Sequence, residues 1–356
     1  MEVLVFLKRY VLVFTLGMLH CVLGPGAAAQ IGPGQPNGCF VYLTANDLGI
    51  DMGAPVPPGA VLVNQNNVPG EGGLSVYRIT LSTCPAPAAP IEVCLPCLAA
   101  TAGQPINLAT GNTYIHQTDV KVPGLASGLS LVRTWNSKWP STQSAFQVGL
   151  FGPNWRSTYE ERVFVGSDDY IKYARGDGNF WSFGFSSYGL WKLAAPQNTT
   201  ATLASGNTYW TLTFQNGERR RFDNTSGALI AVIDRNGNTT QLTYDGINRL
   251  VTVTDPASRH LSFTYGSSSS YLVTGVSSDV GLALSYSYDN QNRLSQVTNP
   301  DLTTLTFAYD SQSRITSVTD STGKILESHT YDGSGRGLTS SRALGVEAVT
   351  ITYPNQ

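Results

Sequence analysis

Two stretches decide how this chain is read: Tyr288-Asp289-Asn290-Gln291-Asn292-Arg293-Leu294 and Tyr309-Asp310-Ser311-Gln312-Ser313-Arg314-Ile315. A Tyr-Asp pair with Arg four residues after the Asp occurs again at Tyr244, Asp245 and Arg249, and at Tyr331, Asp332 and Arg336. The four tyrosines are 44, 21 and 22 residues apart. The first gap is a doubled period whose middle member is Tyr265-Gly266. Phe222-Asp223 lies one period before the series and Tyr353 one period after it. Self-similarity at a fixed period is the mark of a repeat architecture.

Each period of about 22 residues fits two strands and two turns. Leu261, Phe263 and Tyr265 alternate, as do Leu284, Tyr286 and Tyr288, and Leu305, Phe307 and Tyr309. Period-two spacing puts each trio on one face of a strand. The tyrosine ends the strand, and the Asp after it opens a turn whose backbone N–H groups its side chain can accept. A second Asp or Asn closes the first half of each unit, at Asp234, Asp255, Asp279, Asn299 and Asp320. Leu250 and Val253 are three apart, as are Leu294 and Val297. Strict alternation fails there, and a β-bulge or a late strand start would each explain it. The arginines either pair with acids along the ladder or are solvated. The repeat aspartates read as turn caps in preference to calcium ligands, because each unit offers only one or two acids.

These marks resemble the YD repeats of the Rhs family: Tyr-Asp-x-x-x-Arg-Leu stands complete at Tyr244–Leu250 and Tyr288–Leu294. Tyr309–Ile315 is a near copy, and in Tyr331–Arg336 the following Leu is replaced by Gly337. Upstream, Pro105-Ile106-Asn107-Leu108-Ala109-Thr110-Gly111-Asn112 resembles the opening of an Rhs core. Leu131–Ser137 and Phe151-Gly152-Pro153-Asn154-Trp155 resemble its continuation, so the likeness covers about residues 103–356. The resemblance implies an all-β fold: a strand-rich N-terminal region, then a YD-repeat hairpin array forming a spiral sheet or partial shell. It implies a non-enzymatic scaffold, a truncated or fragmentary member without a C-terminal cargo, ending as a seventh unit begins. The alternative is a carbohydrate-binding or cell-surface adhesion module.

The chain divides into four parts. Residues 1–29 form a signal peptide: Lys8 and Arg9, an apolar run from Tyr10 to Leu23, then Ala27-Ala28-Ala29. An uncleaved anchor is the alternative, and His20 argues against a lipid on Cys21. Residues 30–102 are Gly- and Pro-rich and carry Cys39, Cys84, Cys94 and Cys97. An even number of cysteines in an exported chain suggests a disulfide-stapled β module. Prolines around Cys94-Leu-Pro-Cys97 disfavour the helix a redox motif needs. Residues 103–220 are dense in aromatics from Trp135 to Trp210 with no helical period, and residues 221–356 hold the array. The aromatics read as core packing or as a platform for sugars.

Composition narrows the function. Charged residues are 13% of the chain and the net charge is −2, so nothing points to nucleic acid. After signal cleavage no membrane span remains, and the location expected is secreted or cell-surface. Partners expected are a second Rhs/YD chain, through an open sheet edge, or cell-surface carbohydrate. His116, His260 and His329 lack metal-ligand spacing. Glu160-Glu161 and Asp168-Asp169 are the candidate acid pairs for a hydrolase, but adjacent strand residues face opposite ways. The sequence therefore names no catalytic, cofactor or metal residue.

Overall fold

A computed structural model describes residues 101–353, except 104, 140–145, 167–169, 188, 189, 197 and 198. The expected signal peptide and the region carrying Cys39, Cys84, Cys94 and Cys97 lie outside the described residues, as do Asp168 and Asp169. The expected disulfide staple therefore falls outside the described residues as well.

The fold is all-β. Helix among the described residues is limited to short 3-10 turns, among them Leu125–Ser127 and Ala343–Gly345. No described helix is long and apolar enough to cross a membrane. Strands β1 (Tyr114–Val122), β2 (Leu129–Asn136) and β5 (Trp155–Ser157) form a three-stranded sheet with β2 in the middle. Between them β3 (Val148–Gly149) and β4 (Gly152–Pro153) make a short hairpin. All later strands join one antiparallel sheet of nineteen, in sequence order. Its members are β6 (Arg162–Val165), β7 (Ile171–Ala174), β8 (Phe180–Ser187), β9 (Leu190–Ala195), β10 (Ala201–Ser205), β11 (Tyr209–Phe214) and β12 (Arg219–Asp223). Then come β13 (Leu229–Ile233), β14 (Thr239–Tyr244), β15 (Leu250–Thr254), β16 (His260–Tyr265), β17 (Val273–Ser278) and β18 (Ala283–Tyr288). The last are β19 (Leu294–Thr298), β20 (Thr304–Tyr309), β21 (Ile315–Asp320), β22 (Ile325–Tyr331), β23 (Gly337–Arg342) and β24 (Val349–Thr350).

Two compact units follow from the contacts. The first contains residues 163–173 and 181–227; the second contains 93–162, 174–180 and 228–356. In the first, Leu203, Leu212, Phe222 and Trp191 are buried on one face of β9–β12. Rings meet edge to face there, Tyr173 with Phe222 at 5.8 Å and with Trp181 at 5.8 Å.

In the second unit the repeats bury one face. Leu250, Val253, Leu261, Phe263, Leu284, Tyr286, Leu294, Val297 and Phe307 are all buried. The opposite face is polar, with Thr330 and Thr339 in hydroxyl contact at 2.6 Å. The three-residue spacing of Leu250 and Val253 is a β-bulge. Tyr244 pairs with Leu250 while Thr243 pairs with Thr252, which leaves Val251 as the extra residue. The same shift occurs at Tyr265, Tyr288, Tyr309 and Tyr331. A bulge lets the residue after the Arg and the residue three later face the same core.

Both turns of a unit share one geometry. The Asp245 N–H donates to the Arg249 carbonyl at 3.0 Å, and the Asn248 N–H donates to the Asp245 carbonyl at 3.0 Å. Asp255, Asp289, Asn299, Asp310, Asp320 and Asp332 open equivalent turns. At the third mid-unit turn the opening residue is Ser278 and not the expected Asp279. The Gly281 N–H donates to the Ser278 carbonyl, and Asp279 accepts the His260 N–H instead.

Candidate functional site

Each Tyr-Asp motif is a clip between neighbouring units. Asp245 Oδ1 accepts the N–H groups of Ile247 and Arg249, and Oδ2 accepts Arg249 Nε at 2.7 Å. The same pairing holds Asp289 to Arg293 at 2.6 Å, Asp310 to Arg314 at 2.7 Å and Asp332 to Arg336 at 2.7 Å. The arginine thus pairs with the carboxylate of its own motif, while its Nη1 donates to the next turn: Arg293 to the Asp310 carbonyl at 3.4 Å and Arg314 to the Asp332 carbonyl at 3.3 Å. Its guanidinium then lies on the ring of the next repeat tyrosine. Arg249 stands 4.5 Å from the Tyr265 centroid, Arg293 4.6 Å from Tyr309, Arg314 4.6 Å from Tyr331 and Arg336 4.2 Å from Tyr353. That tyrosine donates its hydroxyl back to the carbonyl of the residue after the arginine: Tyr265 to Leu250, Tyr309 to Leu294 and Tyr353 to Gly337. The irregular unit keeps the rule, and Tyr288 donates to Val273 at the same separation of 15 residues.

The electrostatics follow from this clip. Backbone N–H donation from Arg249 leads in holding the Asp245 carboxyl below its ordinary range, against some desolvation. At Asp310 burial pushes the carboxyl up, and the hydrogen bonds from Arg314 and Gln312 outweigh it. Burial pushes the hydroxyls of Tyr244, Tyr265, Tyr309 and Tyr331 well above the ordinary tyrosine range, so they remain donors.

The region before the array docks on its buried face. Phe151 meets Tyr286 at 4.8 Å, Trp155 meets Phe307 at 5.4 Å and Tyr159 meets Phe263 at 6.4 Å. Three successive repeats each present one aromatic, and residues 151–159 supply one ring to each. Trp135, Trp155 and Tyr159 are fully or nearly buried, so these rings are core and not an exposed platform. At the centre Arg133 is wholly buried. Its Nε and Nη2 donate to Asp119 at 2.5 and 2.8 Å, and Tyr286 donates to the same carboxylate at 2.7 Å. The guanidinium is also stacked near Trp155, Phe151 and Tyr286, at 4.8, 5.4 and 5.4 Å. Burial opposes the charge on Arg133, and Asp119 more than offsets it.

Two further contacts explain where the repeat departs from its rule. The unit at Tyr265-Gly266 lacks both Asp and Arg, and Leu272 stands before Val273 in the arginine's place. Here the Leu150 carbonyl accepts the Val273 N–H at 2.9 Å and the Tyr288 hydroxyl at 3.4 Å. Gly152 packs so closely that a Cβ would stand 2.6 Å from the Asn292 carbonyl oxygen. At Gly337, where the motif expects Leu, the Gly337 N–H donates to the Gly111 carbonyl at 2.8 Å. A Cβ on Gly337 would lie 2.5 Å from Thr113 Oγ1 and 2.9 Å from Ile106 Cδ1. Ile106, from the other segment, occupies the space that the repeat's own leucine would take.

Glu160 is more than nine-tenths buried, and its Oε1 accepts the Leu150 N–H at 2.7 Å and lies 3.4 Å from Arg156. It holds the β3–β4 hairpin in place, while the Glu161 carbonyl accepts the Leu229 N–H. His116 shares a hydrogen bond with Thr134, and His260 lies 3.4 Å from Asp279. His329 is buried at the position where other units carry Phe263, Tyr286 or Phe307. No group of three metal-ligating side chains forms among the described residues. Sequence reasoning does not reach Asp119, Arg133 or the Leu150–Gly152 hairpin. Arg259 is different: Asp255 and Arg259 repeat the motif's own four-residue spacing, a legible signal, and they pair at 2.8 Å.

Comparison with known proteins agrees with this geometry. Residues 103–183 match a domain of unknown function, DUF6531, and residues 224–260 and 288–325 match the RHS Repeat. Parts of the chain are thus similar to proteins built from RHS repeats. The tRNA nuclease WapA of Bacillus subtilis is 30% identical over 145 residues, which is 41% of this chain and 6% of that protein. The tRNA(Glu)-specific nuclease WapA of Bacillus subtilis subsp. natto is 29% identical over the same shares. The chain therefore matches only a small part of these relatives. Among solved structures, TcdB2-TccC3-TEV matches 96% of this chain with 19% of its own, at 12% identity and TM-score 0.30. The Photorhabdus luminescens Tc holotoxin pore does so at 13% identity and TM-score 0.25.

Proposed function

We propose that the chain is a non-catalytic, extracytoplasmic scaffold, a stretch of Rhs-type β shell whose repeats are held in register by the region that precedes them. The observation that carries this reading is the one-to-one seating of Tyr159, Phe151 and Trp155 on Phe263, Tyr286 and Phe307. A ring per repeat, plus a buried ion pair, fixes where each hairpin stands. Such an arrangement stiffens a wall; it does not converge groups on a substrate.

Residues 1–29 serve for export in this reading, and 30–102 form a separate module ahead of residues 103–220 and the array at 221–356. The partner is a second Rhs/YD chain adding strands at a sheet edge, where unpaired backbone groups invite pairing. The motif residues, from Tyr244, Asp245 and Arg249 through Tyr331, Asp332 and Arg336, act as clips and not as ligands.

Electron microscopy of the full chain tests the shell. A curved, hollow wall is the expected image, and a flat ribbon would overturn it. Fusing residues 1–29 to a periplasmic reporter tests export, with cleavage after Ala29 expected. Incubation with tRNA tests the non-catalytic reading: cleavage by the purified chain would overturn it.

A further inference from the structure

The irregular unit does more than accept the β3–β4 hairpin. Its strands β16 and β17 are joined by residues 266–272, a longer loop than the motif turns, folded over the motif turn of the preceding unit. Arg249 Nη1 donates to the Ser267 and Ser270 carbonyls at 2.9 and 3.0 Å, and the Tyr271 hydroxyl donates to the Ile247 carbonyl at 3.2 Å. Between this loop, the hairpin and the start of β6 lies a cavity of about 480 Å³, inside one compact unit. That size falls in the range of about 300–1,000 Å³ typical of small-molecule sites. Leu250 is buried in its wall, and Val148, Ile247 and Tyr271 stand exposed at its mouth. Large apolar side chains left exposed around a hollow mark an interaction site in a way that scattered ones do not.

The charges around the cavity are unequally matched. Arg156 and Glu160 are each more than nine-tenths buried and lie 3.4 Å apart, so they offset one another. Arg156 Nη2 and Glu160 Oε2 have no partner but are closed to solvent. Glu161 also borders the cavity and is engaged in contacts of its own. Arg162 is the remaining charge: it lines the cavity half-buried, its Cζ 5.8 Å from the Phe146 ring. Among the described residues its guanidinium has no carboxylate within ion-pair distance and no hydrogen-bond acceptor. Burial holds the Arg156 guanidinium below its ordinary range; Glu160 counters this and the charge of Arg162 adds to it, so the field of Arg162 falls on the cavity floor. An apolar wall thus stands beside one uncompensated cation that a ligand can reach.

We propose that this cavity binds a small amphipathic carboxylate, an aliphatic or aryl-alkyl acid whose anionic end lies on Arg162 and whose apolar body lies against Ile247, Leu250 and Tyr271. A guanidinium holds a carboxylate through two parallel N–H···O bonds, and the attraction is stronger beside apolar walls than in open water. A neutral ligand would gain only the apolar contact, and a cation would meet Arg162 with like charge. The repeat thus gives up its Asp-Arg pair where the loop that replaces it walls a binding site. The scaffold reading does not enter this assignment.

The test is calorimetric titration of the full chain with decanoate, phenylbutyrate, decanol and decylamine, each below the concentration at which it forms micelles. The two acids should bind, decanol about tenfold or more weaker than decanoate, and decylamine weakest. R162Q should lower decanoate affinity by about tenfold, to the level of decanol, and R162K should retain more of it than R162Q does. I247W fills the mouth and should weaken decanoate and decanol alike. R235Q, which removes an exposed arginine of a mid-unit turn, should leave decanoate binding unchanged. Circular dichroism melting of each variant separates lost binding from lost fold. Equal affinity for decanoate and decylamine, unchanged decanoate affinity in R162Q, a loss in R235Q as large as in R162Q, or no binding by the parent chain overturns the proposal.

Discussion

The repeat copies that keep the full motif and the two places that break it belong to one compact unit, and they differ in what covers them. At Tyr309 and Tyr331 the cover is internal, a guanidinium from the preceding motif. At Tyr288 and at Gly337 it comes from the docked region, through Leu150–Gly152 in one case and Ile106–Thr113 in the other. Loss of consensus in this array is therefore not simple decay. A missing Asp-Arg pair and a missing leucine both leave room that another segment fills. In a repeat protein each unit ordinarily contacts only its neighbours. Here two units have exchanged part of their neighbour contacts for a long-range one.

The largest effect expected separates a docked ion pair from an array ion pair. Arg133 and Asp119 are both buried, while Arg314 and Asp310 are partly exposed. Removing one partner from a buried pair leaves an unpaired charge and costs about 3–5 kcal/mol. D119A should therefore strip hydrogen-exchange protection from strands β17–β20 as a block. R314A should cost about 1 kcal/mol or less and act locally. The paired replacement of Arg133 by Met and Asp119 by Leu should recover much of the loss, since an apolar pair needs no desolvation. Equal costs for D119A and R314A would erase the distinction between the two regions.

Restoring the consensus where the docked region has replaced it should do harm, not good. G337L pushes a side chain into Thr113 and Ile106, and overpacking of this kind costs about 1–3 kcal/mol. Adding I106A vacates that space, so the double variant should be more stable than additivity predicts. Urea titration of the four chains measures the coupling. Additive behaviour would mean that Ile106 does not stand in for the leucine.

The period, the strand-turn rhythm and the buried alternation of the array were legible because each depends on local chemistry repeated in register. The arginine's role was only half legible. Its distance from Asp fixes the ion pair, but the next tyrosine becomes its neighbour only through strand pairing some 16 residues away. The bulge was visible as a broken alternation, and only the pairing register decided between it and a late strand start. Asp119 and Arg133 carried no signal at all. They are 14 residues apart on two strands, and their burial depends on Tyr286, 167 residues beyond Asp119. The gaps at Gly266 and Gly337 were visible as departures, but a departure becomes meaningful only when the segment that fills it is seen.

Acid should loosen the regular copies through their carboxylates. The Asp245, Asp289, Asp310 and Asp332 carboxyls are all held below the ordinary aspartate range. A group with a depressed folded-state pKa contributes stability that is present above its unfolded value, about 3.9, and lost as pH falls through the folded value. Stability should thus be flat from neutral pH to about 5 and fall below about 4. Hydrogen exchange at two pH values, corrected for intrinsic rates, checks where the loss begins. The turns opened by Asp289, Asp310 and Asp332 should loosen before β1 and β2. Loosening of β1 and β2 first would place the acid-sensitive groups in the docked region instead.

The smallest effect expected distinguishes the two turns within a single unit. Three of the motif turns place Asn248, Asn292 or Gly335 at positive φ, residues that enter the left-handed region with least strain or none. The turn opened by Asn299 places Leu302 there, at φ 67°, with the residue 80% exposed. A leucine gains no packing in that position and carries the steric penalty of the left-handed backbone, about 1–2 kcal/mol. L302G should therefore stabilise the array by about 1 kcal/mol once the greater freedom of glycine in the unfolded chain is subtracted. G335L, the reverse change in a motif turn, should cost about as much. A rise in the urea midpoint for the first variant and a fall for the second would show that turn strain is set by position and not by which half of the unit the turn closes. If L302G lowers the midpoint, Leu302 has a contact that its exposure does not reveal, and the mid-unit turn is not simply a weaker copy of the Tyr-Asp turn.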